Sequence, residues 1–215
     1  MTPRIGIMGG AFNPPHFGHL RSALEVREVL QLEQVLFLPS GLHPFKRDDR
    51  LAAVHHRVAM TRLAIADEPG FALCTLEADQ QRTAYTTETL ASLASRHSGR
   101  ELVFLFGADL LAEMHLWKDW EQLIRLAHLC LLVRPGYQGT WEGTRAGQYF
   151  ATARVERAGE MHRSANGYSF LVQPITMLEI SSTDLRARQR MGRSLRYLTP
   201  QKVVAYIHRH DLYMC

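Results

Sequence analysis

Cysteine is scarce in this chain of 215 residues: three, at positions 74, 130 and 215, far apart and with no Cys-x-x-Cys pair. Neither a disulfide framework nor a zinc ribbon is expected to carry the fold, and a reducing compartment fits best. Long apolar runs are also missing. The longest, Leu126–Val133, is broken by His128, well short of the roughly 20 residues a membrane helix needs. The amino end, Met1-Thr-Pro-Arg-Ile-Gly-Ile-Met-Gly-Gly, has no extended apolar stretch and no cleavage pattern, so no secretory signal is read. A cytoplasmic protein without a membrane partner is the expectation. Dense Lys/Arg tracts are absent too, which excludes the usual grip on nucleic acid. The net charge is only +4, from 25 basic and 21 acidic residues, and a pI near 9.1 leans toward small anionic partners. Arg186, Arg188, Arg190, Arg193 and Arg196 form the nearest basic cluster, at helical spacing that reads as a solvated face.

What is present is ordinary globular composition, 46% hydrophobic and 21% charged, which excludes disorder. The length suits one domain spanning 1–215. Arg4–Met8 is β-prone, a dense turn follows, and Leu20, Ala23, Leu24, Arg27 and Leu30 keep a helical period before the apolar strand Val35–Leu38. The alternation continues: helix over 50–67, strand 71–76, helix 86–97 with Thr86 or Thr87 as cap, strand 102–106, helix 120–126, strand 129–133. Residues 136–168 lose periodicity and read as an irregular excursion. Strands at 169–172 and 177–180 precede closing helices at 182–191 and 200–209, the last with Thr199 as cap. Alternating apolar strands and helices predict an α/β doubly wound fold, a mainly parallel sheet with helices on both faces. Ligands of such sheets gather beyond the carboxyl ends of the strands.

The densest chemistry is Gly9-Gly10-Ala11-Phe12-Asn13-Pro14-Pro15-His16-Phe17-Gly18-His19, directly after the first strand. Glycines let backbone amides approach an anion, and prolines stiffen the turn. His16 and His19, three apart at a helix start, share one face at the positive end of the helix dipole, where phosphate is favoured. Alone, such a histidine pair is an ordinary surface feature; after a Gly-Gly turn and a buried strand it points to an anion site. The loop lacks the GK[ST] of a P-loop and the GxGxxG of a dinucleotide fold. Near the other end of the chain, Ile180-Ser181-Ser182-Thr183-Asp184-Leu185-Arg186 reads as a chain segment entering a helix that offers hydroxyls, free amides and an arginine one turn in. By itself this is what many helix N-caps look like. The pairs His55-His56 and His208/His210 lack a carboxylate or cysteine at ligand spacing and read as surface residues.

The first segment resembles the GGxFxPxHxGH signature of the HxGH nucleotidyltransferase superfamily, and the second its ISSTxxR signature. Between them, Gly107-Ala108-Asp109 with Trp117, Tyr85-Thr86-Thr87-Glu88-Thr89-Leu90, Arg57 with Met60, and Val133-Arg134-Pro135-Gly136 are similar to elements of the nicotinate-nucleotide adenylyltransferase family. That family's PPHK loop appears as His43-Pro44-Phe45-Lys46, with phenylalanine where histidine is usual. The resemblance implies a Rossmann-like nucleotidyltransferase fold and transfer of AMP from ATP to nicotinate mononucleotide, giving deamido-NAD and pyrophosphate. It implies ATP contacts from Gly9, Gly10, Phe12, His16, His19, Gly107, Asp109, Ser181, Ser182, Thr183 and Arg186, with His16, His19 and Arg186 catalytic. Acceptor contacts would come from Lys46, Tyr85, Thr86, Trp117 and Arg134. A Mg2+ ion bridging phosphate oxygens is expected, with no metal-binding residue set of the protein's own. Without the resemblance, Asp109 reads equally as a strand-end turn residue and Trp117 as core. A sibling enzyme acting on nicotinamide mononucleotide or phosphopantetheine, or a silent ATP-binding regulator, are the competing readings. The sequence does not report the oligomeric state.

Overall fold

The computed structural model describes residues 2–41, 51–80, 83–133, 139, 141–176 and 178–214. Its seven strands are β1 (Arg4–Gly10), β2 (Gln34–Pro39), β3 (Phe71–Leu73), β4 (Glu101–Gly107), β5 (His128–Val133), β6 (Arg154–Val155) and β7 (Phe170–Pro174). The helices are α1 (Phe17–Val29), α2 (Val54–Ile65), α3 (Thr86–Arg96), α4 (Ala108–Glu113), α5 (Leu123–Leu126), α6 (Arg145–Phe150), α7 (Ser182–Arg190) and α8 (Gln201–Arg209), with short 3₁₀ turns between several of them. The strands form one sheet in the order β3-β2-β1-β4-β5-β7-β6. β1 runs parallel to β4, β4 to β5, β5 to β7 and β6 to β7, in registers that pair Ile7 with Phe104, Leu105 with Cys130 and Cys130 with Leu171. The order climbs from β1 to one edge and then resumes on its other side, which is the doubly wound pattern expected of alternating strands and helices.

By its internal packing the chain divides into two compact units. One comprises Met1–Met8, Glu25–Val35 and Tyr85–Thr176; the other comprises Gly9–Leu24, Leu36–Ala84 and Met177–Cys215. In the first, β4 and β5 read as continuous apolar runs because they are covered on both faces: Leu102 to Phe106 and His128 to Val133 are all buried. Phe170 at the start of β7 meets Trp141 (ring centroids 5.3 Å) and Phe150 (6.1 Å). In the second, Met60 of α2, Leu185 of α7 and Val203, Val204 and Ile207 of α8 form one buried cluster with Leu195. That cluster seats α7, whose remaining face is polar.

Several local expectations shift. Residues 178–180 form no strand; Ile180 N–H turns back to the Leu178 carbonyl (2.8 Å). Residues 136–168, read as irregular, hold α6 and the two-residue edge strand β6 among those described. The Thr144 hydroxyl caps α6 by accepting from Gly147 N–H (3.0 Å). Neither Thr86 nor Thr87 caps α3; the capping position falls on Tyr85, with no side-chain bond. Thr199 does not cap α8 either, because its hydroxyl has a long-range partner described below.

Candidate active site

The carboxyl end of β1 leads into residues 9–19. Phe12 turns the chain with a left-handed backbone (φ 46°), its ring buried against His19 (5.1 Å) and Phe37 (5.6 Å). A Cβ added at Gly9 would meet nothing within 4 Å, so no neighbouring protein atom demands glycine there, and the bare backbone is left open to a ligand. The peptide between Asn13 and Pro14 is cis.

Pro14 and Pro15 have no amide hydrogen, and the carbonyls of residues 13–15 are turned out of any local helix, so donors must come from elsewhere. They come from the C-terminal segment, one per carbonyl. Arg186 Nη1 donates to Asn13 O (2.9 Å), Ser182 Oγ to Pro14 O (2.8 Å) and Thr199 Oγ1 to Pro15 O (2.7 Å). Phe17 N–H in turn donates to the Leu198 carbonyl (3.0 Å). Residues 9–19 and 181–186 thus meet directly. Arg186 also donates to Thr183 Oγ1 (3.2 Å), and Ser181 Oγ accepts from Asp184 N–H (3.1 Å) as the N-cap of α7. Arg186 is only 9% exposed, so it does not belong to the solvated arginine face that the spacing suggested.

Two further residues shape the loop. Arg57, 2% exposed, sends its guanidinium to three carbonyls: Ala52 (3.1 Å), Ala11 (2.9 Å) and Ser40 (2.7 Å). Asn13 Oδ1 accepts from Ala52 N–H (3.0 Å) and from the Tyr213 hydroxyl (2.7 Å). Sequence reasoning matched Arg57 only by resemblance and missed Thr199 and Tyr213. Thr199 before Pro200 looks like a local cap, and nothing in the sequence marks Tyr213.

His16 precedes α1 and its carbonyl opens the helix, accepting from His19 and Leu20 N–H (2.9 and 3.2 Å). The two imidazoles stack at 3.7 Å with 30° between their planes. A Cβ at Gly18 would stand 2.9 Å from His16 Nδ1, so glycine between the histidines is what lets the first ring lie where it does. His16 N–H donates to His19 Nδ1 (3.2 Å); that nitrogen is therefore the acceptor, and the neutral His19 ring carries its proton on Nε2. Burial lowers the His16 pKa to about 4. Burial, reinforced by the neighbouring His16, lowers that of His19 to about 3. Both rings are neutral donors at pH 7. The Nδ1 atom of His16 is buried with no partner among the described residues, a cost that folded proteins concentrate at functional positions.

In the other unit, β4 ends at Gly107, the capping residue of α4. A Cβ at Gly107 would lie 2.7 Å from Asp109 Oδ1, so the exposed carboxylate of Asp109 folds back over the start of that short helix. Tyr85 and Thr86 lie at the start of α3. Trp117, half-buried, sets its edge against Phe104 (6.5 Å). Lys118, which sequence reasoning missed, places Nζ 4.6 Å over the Tyr85 ring and 2.9 Å from Glu88 Oε1. This brings Tyr85 and the Trp117-Lys118 corner to one place. Lys46 and Arg134 lie outside the described residues, as do His43 and Phe45.

Among the described residues no group of three or more His, Cys, Asp or Glu side chains is placed to hold a metal ion. His56 Nδ1 instead meets the Tyr206 hydroxyl (3.0 Å), and its ring packs against His55 (4.1 Å) and His210 (5.2 Å). No helix of the described residues is long and apolar enough to cross a membrane.

Residues 7–188 match the family model described as cytidylyltransferase-like, which sets the class as nucleotidyltransferase. A "Probable nicotinate-nucleotide adenylyltransferase" of Roseiflexus sp. (strain RS-1) is 40% identical over 210 residues, covering 97% of each chain. One from Mycobacterium tuberculosis (strain H37Rv) is 37% identical over 209 residues, covering 97% of this chain and 91% of the relative. The fold is that of the Plasmodium falciparum nicotinic acid mononucleotide adenylyltransferase, solved complexed with APC and with NaAD. Each of those structures has a TM-score of 0.71 at 17% identity, covering 98% of this chain and 97% of theirs. The chain belongs to the nicotinate-nucleotide adenylyltransferase family.

Proposed function

We propose that this enzyme transfers the adenylyl group of ATP to nicotinate mononucleotide, releasing pyrophosphate and forming nicotinate adenine dinucleotide. The attacking atom is a phosphate oxygen, already ionised near neutral pH, so the reaction needs orientation and charge stabilisation rather than a general base or a covalent intermediate. His19 Nε2–H and the His16 ring donate to the phosphate oxygens where negative charge grows. The amides that open α7, at Ser182 and Thr183, receive the outgoing pyrophosphate. Arg186 and the Ser182 hydroxyl hold the loop in register with that helix, and Arg186 adds its charge to the phosphate side. Gly9, Gly10 and Phe12 present backbone to the triphosphate. Asp109 suits ribose hydroxyls, Trp117 with Tyr85 and Thr86 suits the pyridine ring, and Lys46 and Arg134 suit the acceptor's phosphate. Mg2+ enters as part of the ATP substrate, carried by phosphate oxygens and water. The compartment that fits these soluble substrates is the cytoplasm.

The observation that carries this reading is the set of three bonds from Arg186, Ser182 and Thr199 to consecutive carbonyls of residues 13–15, which fixes both histidines beside the α7 N-terminus. Pyrophosphate release on mixing enzyme, ATP, Mg2+ and a panel of acceptors tests it. Nicotinate mononucleotide is expected to be turned over fastest. A faster rate with nicotinamide mononucleotide or phosphopantetheine, or no pyrophosphate with any acceptor, overturns it.

A further inference from the structure

The stretch read as irregular carries no motif and plays no part in the reaction above, yet residues between Gln148 and Tyr168 build one wall of a cavity. It has a volume of about 550 Å³, within the range of small-molecule sites. Its lining includes Ile124 and Arg125 just before β5, Arg154 at the start of β6, and Tyr168 and Ser169 just before β7. It therefore sits at the amino ends of three neighbouring strands. In the same unit, Gly107 and Asp109 stand at the opposite, carboxyl end of β4, so this is a different place from the nucleotide side of the sheet.

The chemistry of the lining is one-sided. Arg125, Arg154 and His162 face it together with the amides of Gln148 and Asn166, and no Asp or Glu is among the lining residues. Arg154 shares its charge with Glu156 (3.2 Å) and the Trp141 face (5.0 Å), whereas Arg125 has no ion-pair partner among the described residues. Tyr149, 42% exposed, and Tyr168 add ring surface. The site is also preformed. Ser169 Oγ donates to the His162 carbonyl (3.0 Å) and accepts from His162 N–H (2.9 Å). Tyr168 N–H donates to Ile124 O (2.8 Å), and Ser164 N–H to Gly167 O (2.7 Å). A preformed pocket lined by two arginines, amide donors and tyrosine rings, with no Asp or Glu in the lining itself, suits an anion attached to a planar ring.

We propose that this cavity is a second binding site, distinct from the active site, for a phosphorylated ring compound of mononucleotide size, gripped through Arg125. AMP is the probe. Equilibrium dialysis of the full chain against labelled AMP is expected to show a class of site that survives when the active site is filled with the dinucleotide product. Arg125→Glu is expected to weaken that class at least about tenfold, the scale of one charge-assisted hydrogen bond. Turnover under saturating substrate stays unchanged, since Arg125 touches nothing in the catalytic machinery. Inorganic phosphate is expected to compete for the same class. Equal AMP uptake by wild type and Arg125→Glu, or failure of phosphate to compete, overturns the proposal. So does a change in oligomeric state on Arg125→Glu without loss of AMP, which would give the cavity to a protein contact. Tyr149→Ala, with retention of the fold checked by circular dichroism, serves as the second variant: it is expected to weaken AMP while leaving phosphate binding intact, and no effect on AMP overturns the ring component.

Discussion

The loop of residues 13–19 and the corner formed by Tyr85, Trp117 and Lys118 are built by opposite means. The loop is tied by long-range hydrogen bonds from the C-terminal segment: Arg186, Ser182 and Thr199 to three consecutive carbonyls and Tyr213 to the Asn13 side chain, while Arg57 bonds the carbonyls of Ala11, Ser40 and Ala52 beside it. The corner is held by a lysine side chain that is 48% exposed, paired with a glutamate that is 38% exposed and resting on an aromatic face. Buried bonds to otherwise orphaned carbonyls are costly to lose; exposed ion pairs contribute about 0–1 kcal/mol. The difference is what the proposed function asks for: stabilising charge on a reacting phosphate would need donors that do not reorganise, whereas gripping a ring would tolerate adjustment.

The largest expected effect comes from removing the donor that the proposed function assigns to the loop. His19→Ala leaves the carbonyl clamps in place and is expected to lower turnover by about 10²–10³, the scale of one lost transition-state donor, with the fold retained by circular dichroism. Near-normal steady-state turnover would remove His19 from the chemistry and leave the loop's rigidity without a purpose.

The same histidines give the loop a pH signature that the corner lacks. Their folded-state pKa values are lowered, to about 4 for His16 and about 3 for His19, against 6.5 when unfolded. Below pH 6.5 the unfolded chain takes up protons that the native rings refuse, so their contribution is full above 6.5 and is lost as pH falls toward those values. His128, lowered chiefly by burial, acts in the same direction, so the comparison must be between wild type and variant. Denaturant midpoints measured from pH 7 to 5 are expected to fall for wild type and to fall less steeply for His19→Ala. Parallel slopes would show that the pair is not neutral in the native state.

Much of this was legible in the sequence, for reasons that differ by residue. Apolar runs covered on both faces marked β4 and β5, and the alternation of elements marked the winding. The segment 9–19 stood out because a Gly-Gly turn and spaced histidines are local features, whereas 180–186 read alone as an ordinary helix cap and was singled out only by resemblance. What escaped notice depends on distance along the chain. Thr199 read as a cap because Thr-Pro before a helix is a local signal, but its partner Pro15 lies 184 residues away and the long-range bond won. Tyr213 pairs with a side chain 200 residues distant. In the excursion, Gly143 and Gly147 hid α6, whose cap is a threonine hydroxyl. Ser182 and Arg186 were expected, from the resemblance, to contact ATP; in the structure their hydroxyl and guanidinium hold the loop, a role that no spacing announces.

A matched pair of small substitutions separates the two modes of construction. Tyr213→Phe removes one hydroxyl from Asn13 and leaves the ring; burial already holds that phenol above its usual pKa, so it is a neutral donor throughout the working range. The variant is expected to lose about 1 kcal/mol of stability, a typical buried hydrogen bond, and to lower kcat several-fold with KM for ATP little changed, because the loop is less well aligned when the charge develops. Lys118→Ala removes the exposed pair with Glu88 and is expected to cost less than about 0.5 kcal/mol, with its kinetic effect confined to KM for the acceptor. If Tyr213→Phe alters stability but not kcat, the bond to Asn13 is structural only and the alignment rests on Arg186, Ser182 and Thr199. If Lys118→Ala lowers kcat as much as Tyr213→Phe does, the corner is as preorganised as the loop, and exposure is a poor guide to which residues set the geometry of the reaction.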